Sequence, residues 1–140
     1  MTKLAFAAAS ALLLTACATY PETVPPPAAA SCPISGSSDW NAWVNAMPGP
    51  NGPSLIVVGK VTTPTGGYRV EFDPMIVSRR SYPVQHVATL RVTPPSGMAT
   101  QAIVRHDVRG QWPSSNAVGS VDVVCGGQLL ARISPVQTAS

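Results

Sequence analysis

An all-β fold is the expectation for this chain, and three observations carry it. Charged residues make up only 11% of the sequence, less than half of the about 25% usual in soluble domains. The 15 prolines exceed the usual share of about 5% roughly twofold. From Ser54 onward, short β-branched runs alternate with Pro, Gly and Ser clusters, the pattern of strands and tight turns rather than of a charged helical bundle. With 140 residues, the chain has room for one small domain once processed and extended parts are set aside.

The first element is not part of that domain. Lys3 precedes an almost unbroken Ala, Leu and Phe run from Leu4 to Ala16. As a helix this run would be about 20 Å long at ~1.5 Å per residue, short of the ~30 Å hydrocarbon core, so residues 1–16 read as an export signal rather than a membrane span. Its end, Leu14-Thr15-Ala16-Cys17, resembles the lipobox of bacterial lipoproteins: a branched aliphatic residue, two small ones, then cysteine.

The resemblance covers the signal segment alone. It implies that the Cys17 thiol takes diacylglycerol, that the signal is cut before it, and that the new amine is acylated, palmitate-like chains being the anchor. One acyl chain holds a protein marginally, whereas two or more hold it stably. Ala18 follows, not the aspartate that in many Gram-negative members of the family favours the inner membrane. The expected address is therefore the outer membrane, facing the periplasm. Ala16-Cys17-Ala18 also satisfies the A-x-A rule of ordinary cleavage, which would instead release a soluble exported protein.

Residues 17–31 read as lipid attachment followed by a tether. ATYPETVPPPAAAS has almost no large aliphatic side chains and cannot offset its ordering entropy by burial, so a disordered or polyproline-like spacer is expected. Fully extended it would reach roughly 40 Å at ~3.1 Å per residue.

The domain is expected over residues 32–140. Ser37 to Met47 reads as one short helix, because Trp40, Trp43, Val44 and Met47 fall at i, i+3, i+4 and i+7 behind a Ser37, Ser38 or Asp39 cap. Its tryptophan pair would plug the core edge or form a ligand platform. Strands follow at Ser54–Thr63, Tyr68–Asp73, Met75–Ser78, Gln85–Thr93, Gln101–Val108, Val118–Cys125 and Gln128–Ser134. Thr65-Gly66-Gly67-Tyr68 and Gly126-Gly127 supply the glycines of two hairpins. The count and spacing match an antiparallel β-sandwich of immunoglobulin-like size, without the immunoglobulin Cys, Trp and Cys spacing. A small open β-barrel is the alternative.

The remaining cysteines acquire a role from the address. Export places the domain in an oxidising compartment, and setting Cys17 aside leaves the even pair Cys32 and Cys125, expected to form a disulfide.

Composition and motifs argue against several functions. Of nine basic residues Lys3 lies in the signal, leaving eight against six acidic ones, too weak a balance for nucleic acid. The two histidines, His86 and His106, fall on different expected strands, so no metal site and no cofactor are expected. His106 and Asp107 are neighbours on a strand and point to opposite faces, which rules out a relay between them. No nucleophile elbow or phosphate loop occurs, and an enzyme is not expected. Thr63-Pro64-Thr65-Gly66-Gly67-Tyr68 resembles one loop of chagasin-like cysteine protease inhibitors, and Arg109-Gly110-Gln111-Trp112-Pro113 resembles a second with Trp and Pro reversed. That likeness implies protease inhibition as an alternative function. The leading expectation is a lipid-anchored, non-catalytic interaction or structural module of the envelope. Its membrane contact is the lipid on Cys17, and it meets a protein partner through loops holding Tyr68, Arg79, Arg80 and Trp112.

Overall fold

A computed structural model describes residues 31–115 and 117–140. The signal tract, Cys17 and all of the tether but Ser31 lie outside them. Among the described residues the chain is all-β: β1 (Gly36–Asn45), β2 (Ser54–Thr63), β3 (Arg69–Phe72), β4 (Val77–Arg79), β5 (Val84–Thr93), β6 (Val104–Pro113), β7 (Val118–Cys125), β8 (Gln128–Ile133) and β9 (Gln137–Ala139). They form two open sheets. One has the order β6-β2-β1-β9; the other has β3-β5-β7-β8, with β4 also on β5. Ala42, Val44, Leu55, Val57 and Trp112 of the first sheet share a core with Ala88, Val118, Val121 and Val123 of the second. The sheets thus face each other across one apolar layer, as in sheet-on-sheet packing, and among the described residues no ladder joins them into a barrel.

Most expected strands are present, with β2 and β7 at the expected bounds. The expected helix is not. Residues Ser37–Asn45 belong to β1, which pairs antiparallel with β2 from Gly36↔Thr62 to Asn45↔Ser54. The same stretch carries a second, two-residue period: Trp40, Ala42 and Val44 face the core. β-branched, aromatic and Asn residues are weak helix formers, and pairing with the long, β-branched β2 decides the outcome. The alternation is hidden by a bulge. Between Ser38↔Lys60 and Asn41↔Val58, Asp39 and Trp40 together oppose Gly59, and Asp39 takes a left-handed φ of 55°, as the first residue of one bulge type does.

The pairings also depart from a purely antiparallel arrangement. β5 lies parallel to β7, and β1 parallel to β9. Thr65-Gly66-Gly67-Tyr68 does not close a hairpin, because β2 pairs with β1 and β6 whereas β3 pairs with β5 in the other sheet. It carries the chain from one sheet to the other. Gly126-Gly127 is a hairpin as expected, linking Cys125 to its partner Gln128. Both glycines have positive φ, 55° and 77°, the primed turn that matches strand twist.

Three aromatic rings bridge the sheets. Phe72 of β3 stands edge-on to Trp40 of β1 at 6.2 Å and to Trp112 of β6 at 5.4 Å between ring centroids. Each indole lies on a glycine: a Cβ on Gly59 would stand 2.1 Å from Trp40, and one on Gly110 would stand 2.1 Å from Trp112. The indole N–H groups are satisfied, Trp40 donating to Ser37 Oγ at 3.1 Å and Trp112 to the Asp73 carbonyl at 3.1 Å. Below this layer, Cys32 and Cys125 form a disulfide with Cα atoms 5.4 Å apart, packed with Val61, Leu90 and Val108.

Two stability predictions follow from this packing. Gly59→Ala and Gly110→Ala, each adding one methyl group where an indole already sits, are expected to destabilise the domain by about 1–3 kcal/mol in urea unfolding, whereas Gly97→Ala, with open space around its Cβ position, leaves the midpoint nearly unchanged. Reducing the disulfide, which closes a loop with a sequence separation of 93, is expected to lower stability by up to about 4–5 kcal/mol in the chain-entropy description.

Candidate functional site

The expected partner loops do not come together. Tyr68 is half-buried just before β3, and its neighbour Arg69 pairs with Thr93 at the end of β5. Arg79 ends β4 opposite Gln85 at the start of β5, and Arg80 follows it, exposed. Gln85 and Thr93 are about 26 Å apart at ~3.3 Å per residue, so Tyr68 and the arginine pair occupy opposite ends of the sheet. Trp112 is not in a loop at all. It lies within β6, is only 4% exposed and belongs to the core. The segment Arg109–Pro113 is therefore strand.

Arg79 serves an internal network. On the outer face of the five-stranded sheet, Arg132 grips Asp122 with two bonds, 2.7 and 2.9 Å, and Arg79 stands 4.0 Å from the same carboxylate. The bonds from Arg132 hold the Asp122 carboxyl below the usual carboxylate range and raise the guanidinium. Arg91 binds Asp73 at 2.7 Å, and Arg69 lies 3.3 Å from Glu71. The Asp73 carboxyl is held low first by the Met75 backbone N–H and then by Arg91.

The histidines are strand residues with local partners. His106 of β6 lies opposite Val61, with Nε2 3.0 Å from Thr63 Oγ1, which also stands 3.0 Å from the Thr65 carbonyl. His86 lies opposite Ser78, with Nδ1 2.9 Å from Ser78 Oγ, and is 6% exposed. Among the described residues its Nε2 is buried without a partner. Placing the ring proton on Nδ1 leaves a bare acceptor inside, which costs less than an orphaned N–H. Burial lowers the His86 pKa. Four surface concavities are lined without either histidine, and among the described residues no group of three or more His, Cys, Asp or Glu side chains converges to hold a metal ion.

The surface with binding chemistry is the outer face of β1, β2 and β6. Strand alternation splits the tryptophan pair: Trp40 goes into the core and Trp43 to this face. Trp43 lies opposite Ile56 in the ladder, and Ile56 is only 4% exposed although it stands outside the core clusters. The Arg109 guanidinium stands 6.0 Å from the Trp43 ring centre, within cation–π reach. Beside it is an open concavity of about 290 Å³ lined by Asp39, Val58, Gly59, Lys60, Asp107, Val108 and Arg109. Lys60 pairs with Asp39 at 3.3 Å, and the bulge aims Asp39 across the strand toward it. An apolar floor with acidic and basic groups at its rim suits an extended amphipathic ligand or a protein surface. A helical reading of residues 37–47 keeps Trp43 beside Trp40 and hides this face; the signal for it is the alternating Arg105, Asp107, Arg109 and Gln111 row, which continues past Val108.

No known protein family, no curated protein and no solved structure matches this chain.

The buried histidine sets a pH dependence. Its folded-state pKa lies below the unfolded value near 6.5, so the unfolded chain binds the extra proton first. Stability from this group is fully present above about pH 6.5 and falls as pH drops toward the folded pKa. Urea midpoints measured between pH 7.5 and pH 5 are expected to decline, and His86→Phe is expected to flatten that decline. A further loss below about pH 4 follows from Asp73 and Asp122, whose depressed pKa values make their contribution vanish on acidification.

Proposed function

We propose that this protein is a lipid-anchored module of the bacterial envelope that binds a protein partner and performs no chemistry of its own. One observation carries the reading: Cys32 and Cys125 pair with each other, which accounts for two of three cysteines and leaves Cys17 at the lipobox position. A disulfide that staples the domain fits an oxidising, extracytoplasmic compartment. The two-sheet arrangement is read as a β-sandwich of immunoglobulin-like size. Lipid on Cys17 tethers the domain to the outer membrane on its periplasmic side, and the Trp43 face is the part that meets the partner. Aromatic and arginine side chains dominate binding energy at protein interfaces, and this face offers one of each in contact.

The anchor is tested by labelling cells with an alkyne palmitate analogue and partitioning the extract in cloud-point detergent. The full-length protein is expected to carry label and enter the detergent phase, and Cys17→Ser to lose both properties. An unlabelled protein that stays aqueous whether or not Cys17 is present would overturn the reading. The binding face is tested by photocrosslinking in intact envelopes: Trp43→Ala is expected to lower capture of the partner about tenfold, the size of a 1.4 kcal/mol loss, while Tyr68→Ala changes it little.

A further inference from the structure

Edge strands expose unpaired backbone groups, and folded proteins blunt them by shortness, bulges, Pro or like charges. Four of the edge-forming strands here are blunted. β9 has three residues, β4 three, β3 four, and β8 carries a register break against β7. β6 is different. It has ten residues, stands at the end of its sheet, and runs against β2 without any shift from Ser54↔Pro113 to Thr63↔Val104. Its only proline is the last residue. Among the described residues its ladder is made with β2 alone, and β3 across the corner pairs only with β5.

The outward row of this edge reads Arg105, Asp107, Arg109, Gln111, all exposed, and none of the first three has an ion-pair partner among the described residues. That row is self-complementary. An antiparallel second copy centred on Val108 sets Asp107 opposite Arg109, Arg109 opposite Asp107, and Arg105 opposite Gln111. Opposite-charge cross-strand neighbours stabilise a pair, and like charges destabilise it. Sliding the partner by two residues one way sets Asp107 against Asp107 and Arg105 against Arg109; sliding it the other way sets Arg109 against Arg109. A one-residue slide would set the outward row against the inward one. A register centred on His106 also sets Arg105 opposite Asp107, but it overlaps only residues 104–108 of each strand, whereas the Val108-centred one overlaps residues 104–112 and satisfies the pleat and every charge it brings together.

We infer that β6 is a homodimerisation edge, on which a second copy of this chain adds its own β6 antiparallel about a two-fold axis at Val108. The result is one continuous eight-stranded sheet, two copies of β6-β2-β1-β9, with an isologous interface. Both Trp43 faces then lie on the same side of it. The pairing stands independently of the lipid anchor.

Sedimentation of the full-length protein in detergent micelles tests the inference. A concentration-dependent dimer is expected. Asp107→Arg and Arg109→Asp each place like charges opposite one another and are expected to weaken dimerisation at least about tenfold, whereas the double swap restores the complementary order and the dimer. Thermal melts of dilute protein confirm that the variants fold, and the β6 amides are expected to gain hydrogen-exchange protection with concentration. A protein that stays monomeric at high micromolar concentration, or a dimer indifferent to both single variants, would overturn the proposal.

Discussion

Two tryptophans from one sheet can meet a phenylalanine from the other only because the backbone beneath each indole carries no side chain. Gly59 and Gly110 let Trp40 and Trp112 lie flat on the sheet, and the gap between them receives Phe72 edge-on. Glycine in a strand interior weakens the strand by itself; here the loss is offset by aromatic area buried across the sheet interface, at roughly 25 cal/mol per Å². The ring layer also fixes β3. That strand has four residues and a single ladder, to β5, and what seats it against the first sheet is Phe72 together with the bond from Trp112 to the Asp73 carbonyl.

The same constraint sets the outer surface. Seating Trp40 opposite Gly59 needs the extra residue of the β1 bulge, which rotates Asp39 toward Lys60. Past the bulge, alternation sends Ala42 and Val44 inward and Trp43 outward. The indole beside Arg109 is therefore a consequence of how its neighbour Trp40 packs. The disulfide works at the other end of the core, where Cys125 is 1% exposed and the bridge ties Cys32, ahead of β1, to the end of β7.

What was legible in the sequence was local. β2 and β7 announce themselves by unbroken β-branched residues, the Gly126-Gly127 turn by its two glycines, and the disulfide by arithmetic on three cysteines. β1 was not legible as a strand, because Trp40, Trp43, Val44 and Met47 satisfy a helical period by coincidence while the bulge offsets the two-residue one. Trp112 was missed as core because the reading of β6 stopped at Val108, although Val108, Gly110 and Trp112 continue the inward row. The parallel pairings of β5 with β7 and of β1 with β9 join residues distant in sequence, and no local pattern encodes them. The candidate face is visible only in fragments, since its side chains come from three strands, β1 and β2 paired as chain neighbours and β6 joined to β2 from far along the sequence.

The two outer surfaces differ in a way that bears on partners. On the five-stranded sheet the charges are spent within the chain: Asp122 on Arg132 and Arg79, Asp73 on Arg91, and Glu71 on Arg69. A partner docking there would have to displace bonds already formed, and exposed pairs of this kind return little when remade. On the four-stranded sheet Arg105, Asp107 and Arg109 have no such partner among the described residues, and Trp43 and Ile56 set an apolar strip beside them. Unspent charge next to apolar area is what an interface can use, because the charges choose orientation and register while the strip supplies the affinity. The asymmetry traces back to strand length. The short edges β3 and β4 bring Asp73 and Arg79 within reach of Arg91 on β5 and Asp122 on β7, whereas β6, long and at the margin, has a strand neighbour on one side only among the described residues.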